Sequence, residues 1–150
     1  MEIKKSEADY TMIDWWKKVF LENYANFEGR ARRSEYWYYA LVNLAIAAIL
    51  LFIFFVVSIL TSTPLGTSEL SLIPLIVLGI YWLIILIPNF AVAVRRLHDT
   101  GKTGWLILLG VIPFVSSVGG IVLLIFYCLD SDRGPNQYGP NPKGLDNQFI

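Results

Sequence analysis

The sequence predicts an all-α membrane protein with three transmembrane helices, the third kinked or re-entrant, preceded by an amphipathic helix at the membrane interface. Of its 150 residues, 55% are hydrophobic and only 16% are charged, whereas a soluble domain carries about 25% charged residues. Residues 36–60 and 72–94 contain no charged side chain, and about 20 apolar residues suffice for a helix to cross the hydrocarbon core. The few charges between Tyr36 and Leu129 all lie between apolar stretches.

The composition also excludes several classes of function. The twelve basic and twelve acidic residues cancel, so the overall charge indicates no nucleic-acid partner. Cys128 is the only cysteine, which excludes an intrachain disulfide and a cysteine-based metal cluster. We therefore predict no metal site and no cofactor.

The domain organisation is predicted to be simple. Residues 1–10 are polar and charged and lack the apolar stretch of a cleavable signal peptide, so we expect a retained, flexible N-terminus. A single helical membrane domain then covers residues 11–142, and a C-terminal tail covers residues 143–150.

The first predicted element is the N-terminal amphipathic helix. Thr11 and Asp14 have the spacing of a capping box, which would start a helix near Met12. Apolar side chains then recur at three- and four-residue steps, at Ile13, Trp16, Phe20, Tyr24 and Phe27. Such a stripe suits the membrane–water interface, but it equally suits packing on the protein's own spans, and both interpretations stay open.

The first two spans cover residues 36–60 and 72–94. Each is too long and too uniformly apolar for the core helix of a soluble protein, which would show a polar face. A backbone in lipid must satisfy its own hydrogen bonds, so these stretches should be helical.

The third apolar stretch covers residues 105–129 and is interrupted at its middle. Five small or helix-breaking residues cluster there: Pro113, Ser116, Ser117, Gly119 and Gly120. The stretch could be one kinked span, because such residues are tolerated in membrane helices, or two half-helices that enter and leave by the same face. We favour the single span, because the stretch is too short for two full crossings.

The basic residues predict the orientation. Lysines and arginines precede the first span and occupy the link 95–104, whereas the link 61–71 has none. Cytoplasmic loops carry the excess of these residues, so the N-terminus should be cytoplasmic. The side of the tail depends on whether the third stretch crosses.

Three polar motifs flank the apolar stretches: Phe27–Trp37, Arg95–Trp105 and Gly134–Pro142. With these motifs in this order, the chain resembles a widespread family of small bacterial inner-membrane proteins of unknown function. The resemblance implies a location in the bacterial inner membrane. It implies no catalytic residues, because the family's activity is itself unassigned.

The first two motifs supply the candidate lipid- or partner-binding residues. Cations beside a span attract anionic lipid by about 1 kcal/mol each, and Trp and Tyr anchor at headgroup depth. The candidates are Arg30, Arg32, Arg33, Glu35, Trp37, Arg95, Arg96, His98, Asp99, Lys102 and Trp105.

The depths at which polar residues lie along the first two spans predict a polar layer between these spans. Glu35 precedes one span and Arg95 and Arg96 follow the other on the same side, so we expect Glu35 to pair with one of these arginines. Asn43 and Asn89 lie at comparable depths within the spans, where polar side chains hydrogen-bond across helix interfaces.

The leading functional hypothesis is a non-enzymatic membrane protein that binds lipid, most favourably anionic phospholipid, or another membrane protein, including a second copy of itself. A small oligomeric pore or transporter is the alternative. A membrane enzyme that acts on lipid headgroups through His98 and Asp99 is less favoured, because Asp99-Thr100-Gly101 is more typical of a turn.

Overall fold

The computed structural model describes residues 7–61 and 72–144. The start of the polar N-terminus, the link without basic residues and the end of the tail lie outside the described residues. Within them the chain is helical, as predicted, and the one β-type contact is an isolated bridge between Asn136 and Gly139. The α-helices are α1 (Met12–Lys17), α2 (Arg33–Thr61), α3 (Leu72–Asp99) and α4 (Ser116–Cys128), with 3-10 helices at Glu7–Asp9 and Gly104–Gly110 and a π-helix at Lys18–Glu22.

The predicted capping box begins α1. The Thr11 hydroxyl accepts from the Asp14 amide at 3.3 Å, and the Asp14 carboxylate accepts from the Thr11 amide at 2.8 Å. The predicted stripe is not kept along the segment, because the α-helix gives way to a π-helix at Lys18 and the wider turn rotates the following residues. Ile13 and Phe27, the two ends of the stripe, are exposed; Ile13 lies before the π-helix, and Phe27 lies beyond the helical turns.

The buried face of the N-terminal segment packs on the long helices. Trp15 and Val19 are the buried residues of this segment, and Val19 joins a core with Tyr39 of α2 and Val92 of α3. Of the two interpretations of the segment, packing on the protein's own spans describes this face. Its location at the interface stays a prediction.

Helices α2 and α3 are long and apolar enough to cross a membrane. Only 11% of the most apolar part of α2 and 28% of that of α3 are buried, and large side chains such as Leu60 and Leu83 are 78% and 71% exposed. The core helix of a soluble protein would bury these surfaces. The start of α2 and the end of α3 extend past the predicted spans, which places residues 33–37 of the first motif and residues 95–99 of the second on helical turns.

Pro88 interrupts the backbone hydrogen bonding of α3, but the helix continues through it. Proline has no N–H for the carbonyl four residues earlier, which is that of Ile84. The Tyr24 hydroxyl donates to this carbonyl oxygen at 2.6 Å. A side chain from the N-terminal segment thus satisfies the backbone group that the proline leaves free.

The stretch 105–129 departs from the favoured prediction of one kinked span. It contains a 3-10 helix (Gly104–Gly110) and, after a turn, the separate helix α4. Pro113 supplies no N–H, and Phe114 adopts a left-handed φ of 69°, so an α-helix cannot run through this point. The turn is apolar, and Phe114 at its tip is fully exposed.

The two halves of this stretch fold against each other. A Cβ added to Gly119 would lie 2.2 Å from the Leu109 carbonyl oxygen, so only glycine allows α4 to approach the 3-10 helix this closely. Both outer ends of the stretch return to the same end of α3: Gly104 lies against Val94, and the Tyr127 carbonyl accepts from Arg96. The structure thus has two separate helices here, as in the alternative that the sequence left open; that they enter and leave the membrane by one face stays a prediction.

Candidate functional site

The three polar motifs, distant in sequence, meet where α2 begins and α3 ends. The Ala31 amide of the first motif donates to the Arg95 carbonyl at 3.0 Å. The Asp132 amide, just before the third motif, donates to the Asp99 carbonyl at 2.9 Å. The Asn136 side chain donates to the His98 carbonyl at 2.9 Å. The six charged residues at this junction form what we call the ion-pair cluster: Lys18, Arg30, Glu35, Arg95, Arg96 and Asp99.

Glu35 holds one half of the cluster together. Its side chain is 1% exposed, with one oxygen 2.5 Å from an Arg95 guanidinium nitrogen and the other 3.1 Å from the Lys18 amine. The predicted pair of Glu35 with an arginine thus forms with Arg95, and Lys18 ties the N-terminal segment to it. Burial acts to lower the pKa of Lys18, but the charges of Glu35 and Glu7 outweigh it, and the pKa is raised.

Asp99 holds the other half. It is fully buried and accepts from Arg30 at 3.0 Å, from the Ser131 hydroxyl at 2.6 Å and from Arg96. A buried charge is tolerated only when it is paired and its remaining hydrogen-bonding groups are satisfied. Asp99 meets this condition with partners from three separate parts of the chain.

Arg30 and Arg96 use their remaining N–H groups on backbone carbonyls. Arg30 donates to the carbonyls of Asp132 and Gly134, both at 2.8 Å, and Arg96 donates to that of Tyr127 at 3.2 Å. The Arg96 bond holds the end of α4 against α3. The Arg30 bonds hold the residues that follow α4 beside the start of α2 and the end of α3; from here on we call the whole segment after α4, and not only residues 143–150, the tail. The predicted binding residue Arg30 is consequently directed into the protein.

Asn43 forms a second polar junction deeper between the helices. Its amide oxygen accepts from the Trp16 indole at 3.1 Å and from the Tyr81 hydroxyl at 2.5 Å, so it joins the N-terminal segment, α2 and α3. Asn89, predicted for the same layer, is half-buried and takes no part in these bonds.

His98 and Asp99, the candidate catalytic pair, do not contact each other through their side chains. The His98 Nδ1 lies 3.2 Å from the Gly29 carbonyl oxygen, and the ring stacks on Tyr138 with centroids 3.8 Å apart. The Asp99-Thr100-Gly101 sequence forms a turn, as predicted. Gly101 has a φ of 67°, and the amides of Gly101 and Lys102 donate to the carbonyls of His98 and Leu97, which is a Schellman motif.

The candidate residues fall into two groups by exposure, and their binding role stays a prediction. Glu35, Arg95, Arg96, Asp99 and Arg30 are buried. Arg32, Trp37 and His98 are partly exposed, and Arg33, Lys102 and Trp105 are exposed. Arg33 reaches the Cys128 carbonyl at 3.3 Å and Asp130 at 3.5 Å, and Arg32 pairs with Glu7 at 3.0 Å.

Sequence reasoning missed the tail residues that complete the cluster. The Ser131 hydroxyl donates to Asp99, and the carbonyls of residues 132, 134 and 139 accept from Arg30. These groups are uncharged, so no charge pattern identifies them. The one available signal was the density of Gly, Pro and Asn in the third motif, which indicates a fixed turn. Lys18, the second partner of Glu35, is likewise absent from the predicted binding residues.

Two cavities are lined in part by residues of the polar motifs, although no residue of the ion-pair cluster lines either one. The first has a volume of about 500 Å³ and is lined by Arg33, Ser34, Trp37, Tyr38 and Cys128. The second, about 660 Å³, lies between α3, the 3-10 helix and the tail. Across residues 7–61 and 72–144, no group of three acidic, histidine or cysteine side chains could hold a metal ion.

Residues 24–140, nearly four-fifths of the chain, match the family described as protein of unknown function (DUF805). The chain belongs to this family. Among its relatives, the DUF805 chain is 39% identical to inner membrane protein YhaH of Escherichia coli (strain K12) over 131 residues, which are 87% of this chain and 98% of YhaH. It is 37% identical over 131 residues to inner membrane protein YhaI of the same strain, covering 87% of this chain and 97% of YhaI. No solved structure matches the chain.

Membership confirms the family resemblance and agrees with an inner-membrane location. That the three motifs are the family's signature stays an expectation.

Proposed function

We propose that this DUF805 protein is a non-enzymatic protein of the bacterial inner membrane that crosses the bilayer twice, keeps its N-terminal segment and its tail in the cytoplasm, and binds anionic phospholipid there. The observation that carries the proposal is the contact of the tail with Arg30 and Asp99. A tail that is bonded to the start of α2 and the end of α3 belongs on the same side of the membrane as both.

The two-crossing topology also agrees with the charges. If residues 104–129 enter and leave by one face, every lysine and arginine lies on that face, because the link 61–71 has none. The positive-inside rule then assigns the face to the cytoplasm. From the rise per residue of the two half-helices, the hairpin reaches roughly 14–20 Å into a hydrocarbon core of about 30 Å.

Arg33 is the cation best placed for lipid. Its side chain is 46% exposed and it lines the first cavity with Trp37 and Tyr38, residue types that favour headgroup depth. Arg30, by contrast, is saturated inside the protein. The saturated Asp99 likewise gives no support to an enzyme built on His98 and Asp99.

Reporter fusions test the topology. A fusion to the C-terminus should give a fluorescent green fluorescent protein and an inactive alkaline phosphatase, because only cytoplasmic fluorescent protein and periplasmic phosphatase mature. A fusion within the link 61–71 is the control and should give the reverse. An active phosphatase at the C-terminus would contradict two crossings.

Titration of the purified protein with short-chain phosphatidylglycerol, followed by native mass spectrometry, tests lipid binding. Arg33→Gln should weaken binding about fivefold, since one juxtamembrane cation contributes about 1 kcal/mol. Arg33→Lys keeps the charge and should bind phosphatidylglycerol as the wild type does. Binding of phosphatidylcholine should be the same in the wild type and in both variants. Equal phosphatidylglycerol binding by Arg33→Gln and wild type would contradict the role of Arg33.

A further inference from the structure

The second cavity has an apolar end and a polar end. Leu86, Phe90 and Leu108 line one end, and His98, Thr103 and Tyr138 line the other. From Leu86 to His98 the cavity extends about 18 Å along α3, at a rise of 1.5 Å per residue. Its volume of about 660 Å³ falls within the usual range of ligand sites, roughly 300–1,000 Å³.

The apolar end is open at its side. Leu86 and Leu108 are 47% and 43% exposed, and Trp105, which also lines the cavity, is 77% exposed. Around a helix that crosses a membrane, this opening faces hydrocarbon. A molecule can therefore enter from the surrounding leaflet with an acyl chain, without passing through water.

The polar end offers a hydrogen-bond acceptor. A carbonyl only accepts, so the Nδ1 atom of His98 carries the proton that it donates to Gly29. In the neutral ring the Nε2 atom then has the free lone pair. Gly104 keeps the space beside this atom open, because a Cβ there would lie 3.3 Å from Nε2 and 2.6 Å from Val94.

We propose that this cavity binds one phospholipid of the adjoining leaflet, with an acyl chain along α3 and a headgroup donor, hydroxyl or ammonium, hydrogen-bonded to His98 Nε2. The length, the lateral opening and the order of apolar and polar walls fit an amphiphile. The site is separate from Arg33. It rests on the proposed function only in that α3 must lie in the bilayer.

Lipid retention in native mass spectrometry tests the proposal, with delipidated protein loaded with one phospholipid at a time. Phosphatidylglycerol offers a hydroxyl and phosphatidylethanolamine an ammonium, whereas phosphatidylcholine has no donor. In an Arg33→Gln background, which weakens the other proposed lipid site, we expect one retained phospholipid per chain, with phosphatidylcholine bound about fivefold more weakly than the better of the other two. His98→Phe keeps a ring against Tyr138 and should remove that preference. Equal retention of all three by the wild type would overturn the assignment of the headgroup.

A bulky residue in the wall tests the location. Ile87→Trp places an indole in the cavity and, in the same Arg33→Gln background, should reduce retention of every phospholipid at least tenfold. Leu83→Trp is the matched control, one turn earlier on α3 and outside the cavity, and should change nothing. Undiminished lipid retention by Ile87→Trp would overturn the proposal. So would a dimer of the wild-type chain that Ile87→Trp dissociates without any change in bound lipid, because the cavity would then hold a second copy of the chain.

The two lipid proposals fail separately. Arg33→Gln should leave retention in the cavity intact, and Ile87→Trp should leave the response of Arg33 variants to phosphatidylglycerol intact.

Discussion

At the scale of single residues, the protein depends on two buried carboxylates. Glu35 lies between Arg95 and Lys18, and Asp99 lies between Arg30 and Arg96. Each links parts of the chain that are far apart in sequence. A buried pair adds little stability over a well-packed apolar pair, but removal of one partner leaves an uncompensated buried charge.

Glu35→Gln tests the pair with Arg95. We expect it to lower the free energy of unfolding by about 3–5 kcal/mol, because the Arg95 charge would remain buried without a counter-ion. Glu28→Gln, at an exposed position in the same motif, is the control and should have no effect. Unfolding of detergent-solubilised protein measures both, and equal stabilities would exclude a structural role for Glu35.

At the scale of elements, two features shape the membrane helices. Tyr24 satisfies the carbonyl that Pro88 leaves free in α3, and Gly119 lets α4 approach the 3-10 helix. Both involve backbone groups, which have no alternative partner in lipid. A change at Tyr24 should therefore act on stability through the Ile84 carbonyl, and a change at Gly119 through its contact with Leu109.

A double-mutant cycle tests the link between Tyr24 and Pro88. Tyr24→Phe alone should cost about 1 kcal/mol of stability, the net contribution of one hydrogen bond. In a Pro88→Ala background the new Ala amide can donate to the Ile84 carbonyl, so Tyr24→Phe should there cost close to nothing. Additive effects in a thermal-unfolding assay would argue that the two residues act independently.

Neighbouring glycines provide a matched test of the hairpin. Gly119→Ala should destabilise the protein by about 1–3 kcal/mol, since the added methyl group forces α4 away from Leu109. Gly120→Ala has open space around the new atom and should be neutral or stabilising by up to about 1 kcal/mol, because alanine favours helix. Thermal unfolding distinguishes them. Indistinguishable effects would show that the two half-helices do not pack closely.

At the scale of the whole molecule, the tail is part of the folded domain rather than an appendage. Its carbonyls accept hydrogen bonds from Arg30 and Arg96, and the Tyr138 ring stacks on one face of His98. The membrane helices and the tail should therefore unfold together.

Truncation tests this cooperativity. A stop after Asp130 removes three of the carbonyls that Arg30 uses, those of residues 132, 134 and 139, and each buried donor left without a partner costs about 1–3 kcal/mol. We expect the shortened protein to be destabilised by about 3 kcal/mol or more and to aggregate in size-exclusion chromatography. A stop after Gly144 keeps every described contact and should leave a monodisperse protein. A stable, monodisperse protein truncated at Asp130 would contradict the role of the tail.

The sequence by itself determined the features that depend on local composition. The uncharged stretches predicted α2 and α3, because the transfer of apolar side chains to lipid depends on each residue's own chemistry. The capping box and the turn after Asp99 were equally local. The pair of Glu35 with an arginine followed from depth alone, without knowledge of the fold.

Only the tertiary structure decided the course of residues 104–129 and the partners of Asp99. Pro113 and Gly119 are compatible with a kinked span as well as with a hairpin, and the choice depends on what each half packs against. Arg30 finds carbonyls more than a hundred residues further along the chain. Every residue carries a carbonyl, so no side-chain pattern marks these acceptors, and only the folded backbone brings them within reach.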